Sequence, residues 1–458
     1  MNNVHSGYAR EVAAEAGWQV KNGAHRRERL PQLVGLARDA DAELDRLRLA
    51  IIGAGSVGLA IALSAARLQV GGLLLVDGGR YKMASLLTHG ILPHEAAAAL
   101  PKAAHAGRLC KQISPRTRVF AYDGPIQAMA MDALVGFDLV VLATDNVAAE
   151  IEAGLRCLRL RTPLVQAAVH GETLVAQVRF YRNADAGGAC PACSLNRAEI
   201  EMLTTGRELK CDGTGAAPRG ARAGAVPTRS TSCLCGLAAD LAMIEILKYV
   251  LGLGPWAAPG RTSAAASGGA APAGGTACGT PAGRGGDYVL EYAGYTSKAV
   301  VTPLASRASA CVCDHAATWL SASPPRPLAA CSLSELAEAA GPGGGLDRAW
   351  FTVDGMVFAL AGVCSCGKRR RLNVFTAPGA AGHERCGACG EPFCAEAFFW
   401  RRAVAAEELK EQVNRPLREI GAAGARCVLV AGDDNRAVLF SGGLAGRSGP
   451  GAMTAHGS

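Results

Sequence analysis

From Leu47 onward, short apolar runs alternate with stretches of helical length. LRLAII (47–52) is followed by a glycine-rich turn, by LAIALSAARLQV (59–70) and by LLLVD ending at Asp77. The pattern predicts a strand, helix, strand unit. It continues with a helix at PKAAHAGRLCKQI (101–113), strands at TRVFAY (117–122) and DLVVLAT (138–144), a helix after Asp145, and strands at PLVQAAV (163–169) and TLVAQVRFY (173–181). Continuous apolar strands separated by helices predict an α/β doubly wound, mostly parallel sheet. Residues 1–46 read as a polar N-terminal helical arm with leucines on one side, a preface or a dimer arm. Residues 257–286 are almost entirely Ala, Gly, Ser, Thr and Pro, with little to bury, and read as a flexible insertion. YVLEYAGYTSKAVVTPL (288–304) then alternates as strands do. From about 316 the chain has its own apolar segments and cysteines, which predicts a separate C-terminal domain over 316–458 ending in a β-hairpin around GDDN.

Composition narrows the classes. A chain of 458 residues with 50% hydrophobic and 19% charged content folds, and its length suits about three units. A net charge of +8 does not demand nucleic acid, and the basic run KRRRLN lacks interleaved aromatics for stacking on bases. The uncharged stretch Leu49–Ala66 has membrane-like length, yet it contains GAGSVG, so a strand, turn and helix explain it better than a bilayer span. MNNVHSGYAREV has no apolar core behind a basic start, so no secretory signal is expected. The 17 cysteines are then expected in a reducing, cytoplasmic setting, as metal ligands or reactive thiols.

Gly53, Gly55 and Gly58 form G-x-G-x-x-G between a strand and a helix, with Asp77 at the end of the next strand. Glycines let the backbone approach phosphate, the helix start supplies amide donors, and the acid accepts from ribose hydroxyls. The plain alternative is a tight turn in a glycine-rich chain. Dinucleotide and adenylate binders share the motif.

Further motifs carry a resemblance to a known family. LPKAAHAGRLCKQISPRTRV, DLVVLATDN, CPAC behind a pair of strands, and TRSTSCLCGLAADLAMIEILKYV resemble, in order, motifs of the ThiF/MoeB/HesA ubiquitin-activating-enzyme-like adenylyltransferases. The resemblance covers about 47–255 and resumes at about 287–315. It implies a Rossmann-like adenylation domain over 47–315 that uses ATP and Mg²⁺ to activate the C-terminal glycine carboxylate of a ubiquitin-like or sulfur-carrier protein. A homodimer and a downstream conjugating enzyme would be further partners, and the appended domain suits a bacterial ubiquitin-like conjugation pathway. Lys102 would sit beside the phosphates, where it offsets repulsion between carboxylate and phosphate, and Asp145 would hold Mg²⁺. A solvated lysine and a helix N-cap are the plain alternatives for these two.

The chain departs from the family at three positions. Gly79 stands where a second acid is usual, Thr88 where an arginine is usual, and Glu150 where a further arginine is usual. Arg80, Lys82 or His89, or Arg26, Arg27 or Arg29 donated across a dimer, are the candidate replacements. Two other readings follow: an inactive scaffold of the same fold, and an NAD-dependent dehydrogenase, which would leave the cysteine pairs unexplained.

The resemblance places a structural zinc site at the C-x-x-C pair Cys190 and Cys193 with the C-x-C pair Cys311 and Cys313, and His315 is a spare ligand. Cys364 and Cys366 with Cys386 and Cys389 have zinc-ribbon spacing on their own account, each pair next to a glycine. For a thioester-forming thiol the candidate is Cys211, in the loop where the family carries its reactive cysteine, ahead of Cys233, Cys235 and Cys278. The C-terminal domain reads as a docking platform.

Overall fold

The computed structural model describes residues 9–11, 39–184, 187–195, 230–254, 286–304, 306–309, 311–341, 345–377, 381–395, 400–433 and 435–441. They group into two units, Met1–Met129 with Gly136–His315, and Ala130–Val135 with Ala316–Ser458.

In the first unit, strands β1 (Arg10–Glu11), β2 (Arg48–Ile52), β3 (Gly72–Val76), β4 (Arg118–Tyr122), β5 (Leu139–Leu142), β6 (Leu164–His170), β7 (Val175–Tyr181), β8 (Tyr288–Ala293) and β9 (Lys298–Pro303) form one sheet of order β1-β4-β3-β2-β5-β6-β7-β8-β9. The run β4-β3-β2-β5-β6 is parallel. The remaining pairs are antiparallel. The sheet is therefore a parallel core with an antiparallel extension, because β6–β7 and β8–β9 are joined by turns too short for a crossover. GLLLV of β3 and LVVL of β5 are buried throughout, as strands covered on both faces must be.

The first unit carries α1 (Ala40–Arg46), α2 (Ser56–Arg67), α3 (Pro93–Ala97), α4 (Lys102–Ile113), α5 (Val147–Leu160) and α6 (Ser232–Leu251). Helix α2 packs on α4 and α6 over a core that includes Leu49, Ile51, Leu59, Ile61, Leu73 and Leu75. Caps explain the ends of α6: the Thr231 side chain accepts from the Leu234 N–H, and Gly252 closes the helix in the left-handed conformation. Strand β2 lies between β3 and β5, so the chain order reverses there. Such a reversal opens a crevice at the C-terminal ends of the strands, where open α/β sheets bind ligands. Within residues 1–46, expected to be helical, the described residues comprise α1 and the two-residue strand β1, which pairs with the β4 edge. The rest of that arm, and all of the expected insertion except Gly286, lie outside the described residues.

The second unit has a sheet of order β10-β19-β18-β11-β17, from β10 (Thr318–Ala322), β11 (Trp350–Val353), β17 (Ala403–Ala405), β18 (Cys427–Ala431) and β19 (Arg436–Ser441). Strands β18 and β19 are the antiparallel hairpin around GDDN. A second sheet has order β13-β12-β15-β14, with β12 (Val357–Val363), β13 (Arg369–Thr376), β14 (Ala381–Arg385) and β15 (Pro392–Ala395), and β16 (Trp400–Arg401) pairs with β12. Helix α7 (Leu333–Ala340) opens on a capping box between Ser332 and Glu335, and α8 (Ala406–Leu409) is a single turn. The core gathers Phe351, Phe358, Phe375 and Phe440. Residues 130–135, expected within the first domain, belong to this unit: the Met131 N–H donates to Asp354 Oδ1 (3.3 Å) and Ser441 bonds Asp132. Among the described residues no helix is long and apolar enough to cross a membrane.

Candidate functional site

The glycine turn leaves β2 at the sheet's reversal point. Gly53 has φ +95°, and a Cβ there would lie 2.4 Å from the Ala143 carbonyl oxygen at the end of β5. A Cβ on Gly58 would lie 1.8 Å from the Gly53 carbonyl oxygen. Packing alone requires these two glycines, with or without a ligand. Gly55 differs. Its φ is −74°, and beyond its chain neighbours His89 Nε2 alone among the described residues comes within 4 Å of a Cβ there, at 3.9 Å. Its bare α-carbon keeps space open at the N-terminus of α2, where amide donors favour an anion.

Asp77 ties this turn to the end of β3. Its Oδ2 accepts from the Ala54 N–H (2.8 Å) and its Oδ1 from the Gly79 N–H (2.6 Å). A Cβ on Gly79 would lie 2.9 Å from Asp77 Oδ1 and 3.6 Å from Lys102 Cδ and Cε. The Lys102 N–H donates to the Gly79 carbonyl (3.0 Å). A side chain at Gly79 would therefore crowd the Asp77 carboxylate, while the Lys102 stem passes it at ordinary contact distance. Asp145 follows β5, and the cap of α5 is its neighbour Asn146, whose side chain accepts from the Ala149 N–H (3.0 Å). Asp145 is exposed and is not the N-cap.

Thr88 is buried. Its hydroxyl accepts from Ser56 Oγ–H (2.8 Å) and lies 3.1 Å from His89 Nδ1. Ser56, the first residue of α2, was no part of the expected site, and only its place in GAGS hints at a role. Arg80 is engaged elsewhere, pairing with Asp123 (3.7 Å) and donating to the Ala99 carbonyl (3.3 Å). Lys82 is exposed, and Glu150 sits in the first turn of α5. Burial, and after it the Lys102 charge, pulls His89 down to about 4. Burial, with Asp77 and Glu95 nearby, pushes the Tyr81 hydroxyl up.

Cys211, Cys278, Arg26, Arg27 and Arg29 lie outside the described residues. Cys233 is exposed and Cys235 buried at the start of α6, each 3.2 Å from a hydroxyl, of Thr231 and Ser230 respectively.

Two groups of ligand atoms converge. In the first unit Cys190, Cys193, Cys311 and His315 bring three thiols and an imidazole within 4.8 Å of one another. His315 Nε2 lies 3.3 Å from Cys311 Sγ and 3.5 Å from Cys193 Sγ. His315, the spare ligand, converges with Cys190, Cys193 and Cys311, while Cys313, expected as the fourth ligand, falls outside this set of four. The Cys313 N–H donates to Cys311 Sγ (3.4 Å), wrapping the C-x-C turn around Cys311, while the Cys313 thiol lies against Cys190. Helix α5 allows the approach at Gly154, where a Cβ would meet Pro191 Cδ at 2.9 Å. A hydrogen bond with Cys190, then burial, holds the Cys193 thiol above its ordinary range. Thiols so crowded ionise together only around a cation, so the donor set fits a tetrahedral dication.

In the second unit Cys364, Cys366, Cys386 and Cys389 lie within 4.8 Å of one another. They sit on two turns of different size, the Gly367 N–H donating to the Cys364 carbonyl (2.9 Å) and the Gly390 N–H to the Cys386 carbonyl (2.8 Å). Hydrogen bonds from the Ala388 and Cys389 N–H groups pull the Cys386 thiol down to about 6. This set also fits a metal that prefers thiolate.

Comparison with known proteins gives matches over part of the chain. It is 29% identical over 156 residues to the adenylyltransferase and sulfurtransferase MOCS3-1 of Zea mays, covering 34% of this chain and 32% of that protein. It is 29% identical over 137 residues to the sulfur carrier protein ThiS adenylyltransferase of Escherichia coli K12, covering 30% and 54%. To ubiquitin-like modifier-activating enzyme 5 of Drosophila erecta it is 25% identical over 236 residues, covering 49% and 54%. The chain thus spans about a third to a half of the length of these relatives. Among solved structures it is similar to E. coli MccB with ATP, at a TM-score of 0.41 and 13% identity, covering 60% of this chain and 68% of that one. A family profile matches residues 27–267, more than half of the chain, which belongs to the ThiF family.

Proposed function

We propose that the chain is an ATP-dependent adenylyltransferase acting on the C-terminal glycine of a ubiquitin-like or sulfur-carrier protein. The observation that carries this is the Lys102 stem laid across Gly79 beside Asp77, next to a glycine turn left open at Gly55. In this reading the turn and the start of α2 receive the phosphates, and Asp77 accepts from the ribose. A carrier carboxylate oxygen attacks the α-phosphorus, the bond to the bridging oxygen breaks, and pyrophosphate leaves. Lys102 offsets the negative charge that gathers in this step. Asp145 would hold Mg²⁺, which supplies further charge neutralisation at the phosphates. Cys211 is our candidate acceptor thiol for a later thioester. Zn²⁺ is the metal we assign to both cysteine clusters, as structural sites, and we assign residues 47–129 and 136–315 to adenylation and 316–458 to docking. The working form in this reading is a cytoplasmic homodimer.

The test is ATP–pyrophosphate exchange with purified carriers. Exchange that requires a carrier and falls at least about a hundredfold in Lys102→Ala and in Asp145→Ala is the expected result. Carrier binding without exchange would instead establish the scaffold reading, which Thr88 and Glu150 favour because neither supplies a cation. NAD bound in preference to ATP would restore the dehydrogenase.

A further inference from the structure

His89 is anchored at one end and bare at the other. Its Nδ1 lies 3.1 Å from the Ser85 carbonyl oxygen, from Ser56 Oγ and from Thr88 Oγ1. A carbonyl only accepts, so Nδ1 carries the proton and Nε2 presents a lone pair. Nε2 is buried and has no hydrogen-bond partner among the described residues. A buried polar atom without a partner is costly and needs an explanation. Its position supplies one, since Nε2 lies 3.9 Å from where a Cβ of Gly55 would be. In turns of this type the middle glycine is bare so that a pyrophosphate can come close. The orphan nitrogen therefore lies next to the turn at Gly55.

We propose that His89 is a further binding residue for the phosphate chain: its Nε2 takes up a proton and donates to a phosphate oxygen of ATP seated at Gly55. The proposal rests on the reading that this turn holds ATP. The groups facing the imidazole are Ser56 from α2, Asp77 after β3, Lys102 from α4, Tyr81 with its ring edge-on at 5.5 Å, and Thr88 and Ser85 beside it in the chain. Without a ligand, burial and Lys102 keep the ring neutral. A polyphosphate brings negative charge to a place held by one cation, which makes the second cation favourable. Binding then consumes a proton, so ATP affinity rises as pH falls. This contribution reaches at most about tenfold per pH unit, between the free value near 4 and the higher value in the complex.

The test is calorimetric titration of the full chain with ATP, and separately with adenosine, in two buffers of different ionisation enthalpy across about pH 6 to 8. Wild type is compared with His89→Gln, which cancels the nucleotide's own protonation. The expected result is proton uptake by wild type that His89→Gln lacks, and ATP binding weakened about ten- to hundredfold in the variant. Adenosine binding should be unchanged, a selectivity that a merely structural role does not produce. Histidine ¹⁵N spectra of wild type give a second readout that needs no variant: one imidazole becomes cationic on adding ATP. Its absence overturns the proposal. Tighter ATP binding by His89→Gln also overturns it and makes the ring a plug over the turn. Equal ATP binding by both proteins removes His89 alone and leaves adenylation standing, whereas no ATP binding by folded wild type removes both.

Discussion

The two cysteine clusters are built by opposite routes. Cys364, Cys366, Cys386 and Cys389 come from two tight turns in one short stretch of chain, and Cys366 and Cys389 stay exposed. The other set joins Cys190 to Cys311, 121 residues apart in sequence. Its His315 (0% exposed) and Cys190 (1%) are buried, Cys193 and Cys311 are half-buried, and the set packs against Leu158 of α5. A metal on local turns organises a module. A metal across distant segments also closes a long loop and so supports the tertiary structure of its whole unit.

The largest effect should separate these roles. Cys190→Ser is expected to lose one metal by mass spectrometry and to destabilise the first unit by about 3 kcal/mol or more in denaturant. Cys386→Ser should lose one metal while the unfolding transition of the first unit persists. Equal losses at that transition would erase the contrast. Next comes the ligand choice. His315→Ala should weaken metal binding more than the ~100-fold of an outer-shell change, and Cys313→Ser by less than about tenfold. Cobalt(II) spectra of Cys313→Ser that report a lost thiolate would reverse the assignment. A smaller effect lies at the contact between α5 and the CPAC turn: Gly154→Leu overpacks Pro191 and should cost about 1–3 kcal/mol, measured by denaturant midpoint, with the second cluster intact. Smallest is Gly390→Ala, where φ of +73° is strained for alanine by about 1 kcal/mol. Its effect should be confined to the second cluster's metal affinity, and a change in the first unit would contradict the local picture.

Legibility followed sequence distance. The zinc-ribbon spacing is readable because both turns are closed by neighbours in the chain. GAGSVG and Asp77 are readable because a strand, a turn and a helix occur in direct succession. At the first cluster the candidates Cys311, Cys313 and His315 are visible in CVCDH, but which of them faces Cys190 and Cys193 depends on how that segment turns. Residues 130–135 sit between two elements of the first unit, and nothing local announces that Met131 and Asp132 bond Asp354 and Ser441. The antiparallel half of the sheet was also concealed, since strand patterns carry no direction and only turn length decides it.

What the sequence by itself determined is the set of elements and the motifs that lie within one or two of them. Apolar periodicity and glycine placement act over a few residues, where the chain has little freedom. The tertiary structure alone decided which side chains from separate elements share a space: His315 beside Cys193 and Cys311, the Lys102 stem over Gly79, and the bare nitrogen of His89 beside Gly55. Such choices depend on the crossing of strands and helices in three dimensions, where a shift of an ångström exchanges one partner for another and no spacing along the chain records it.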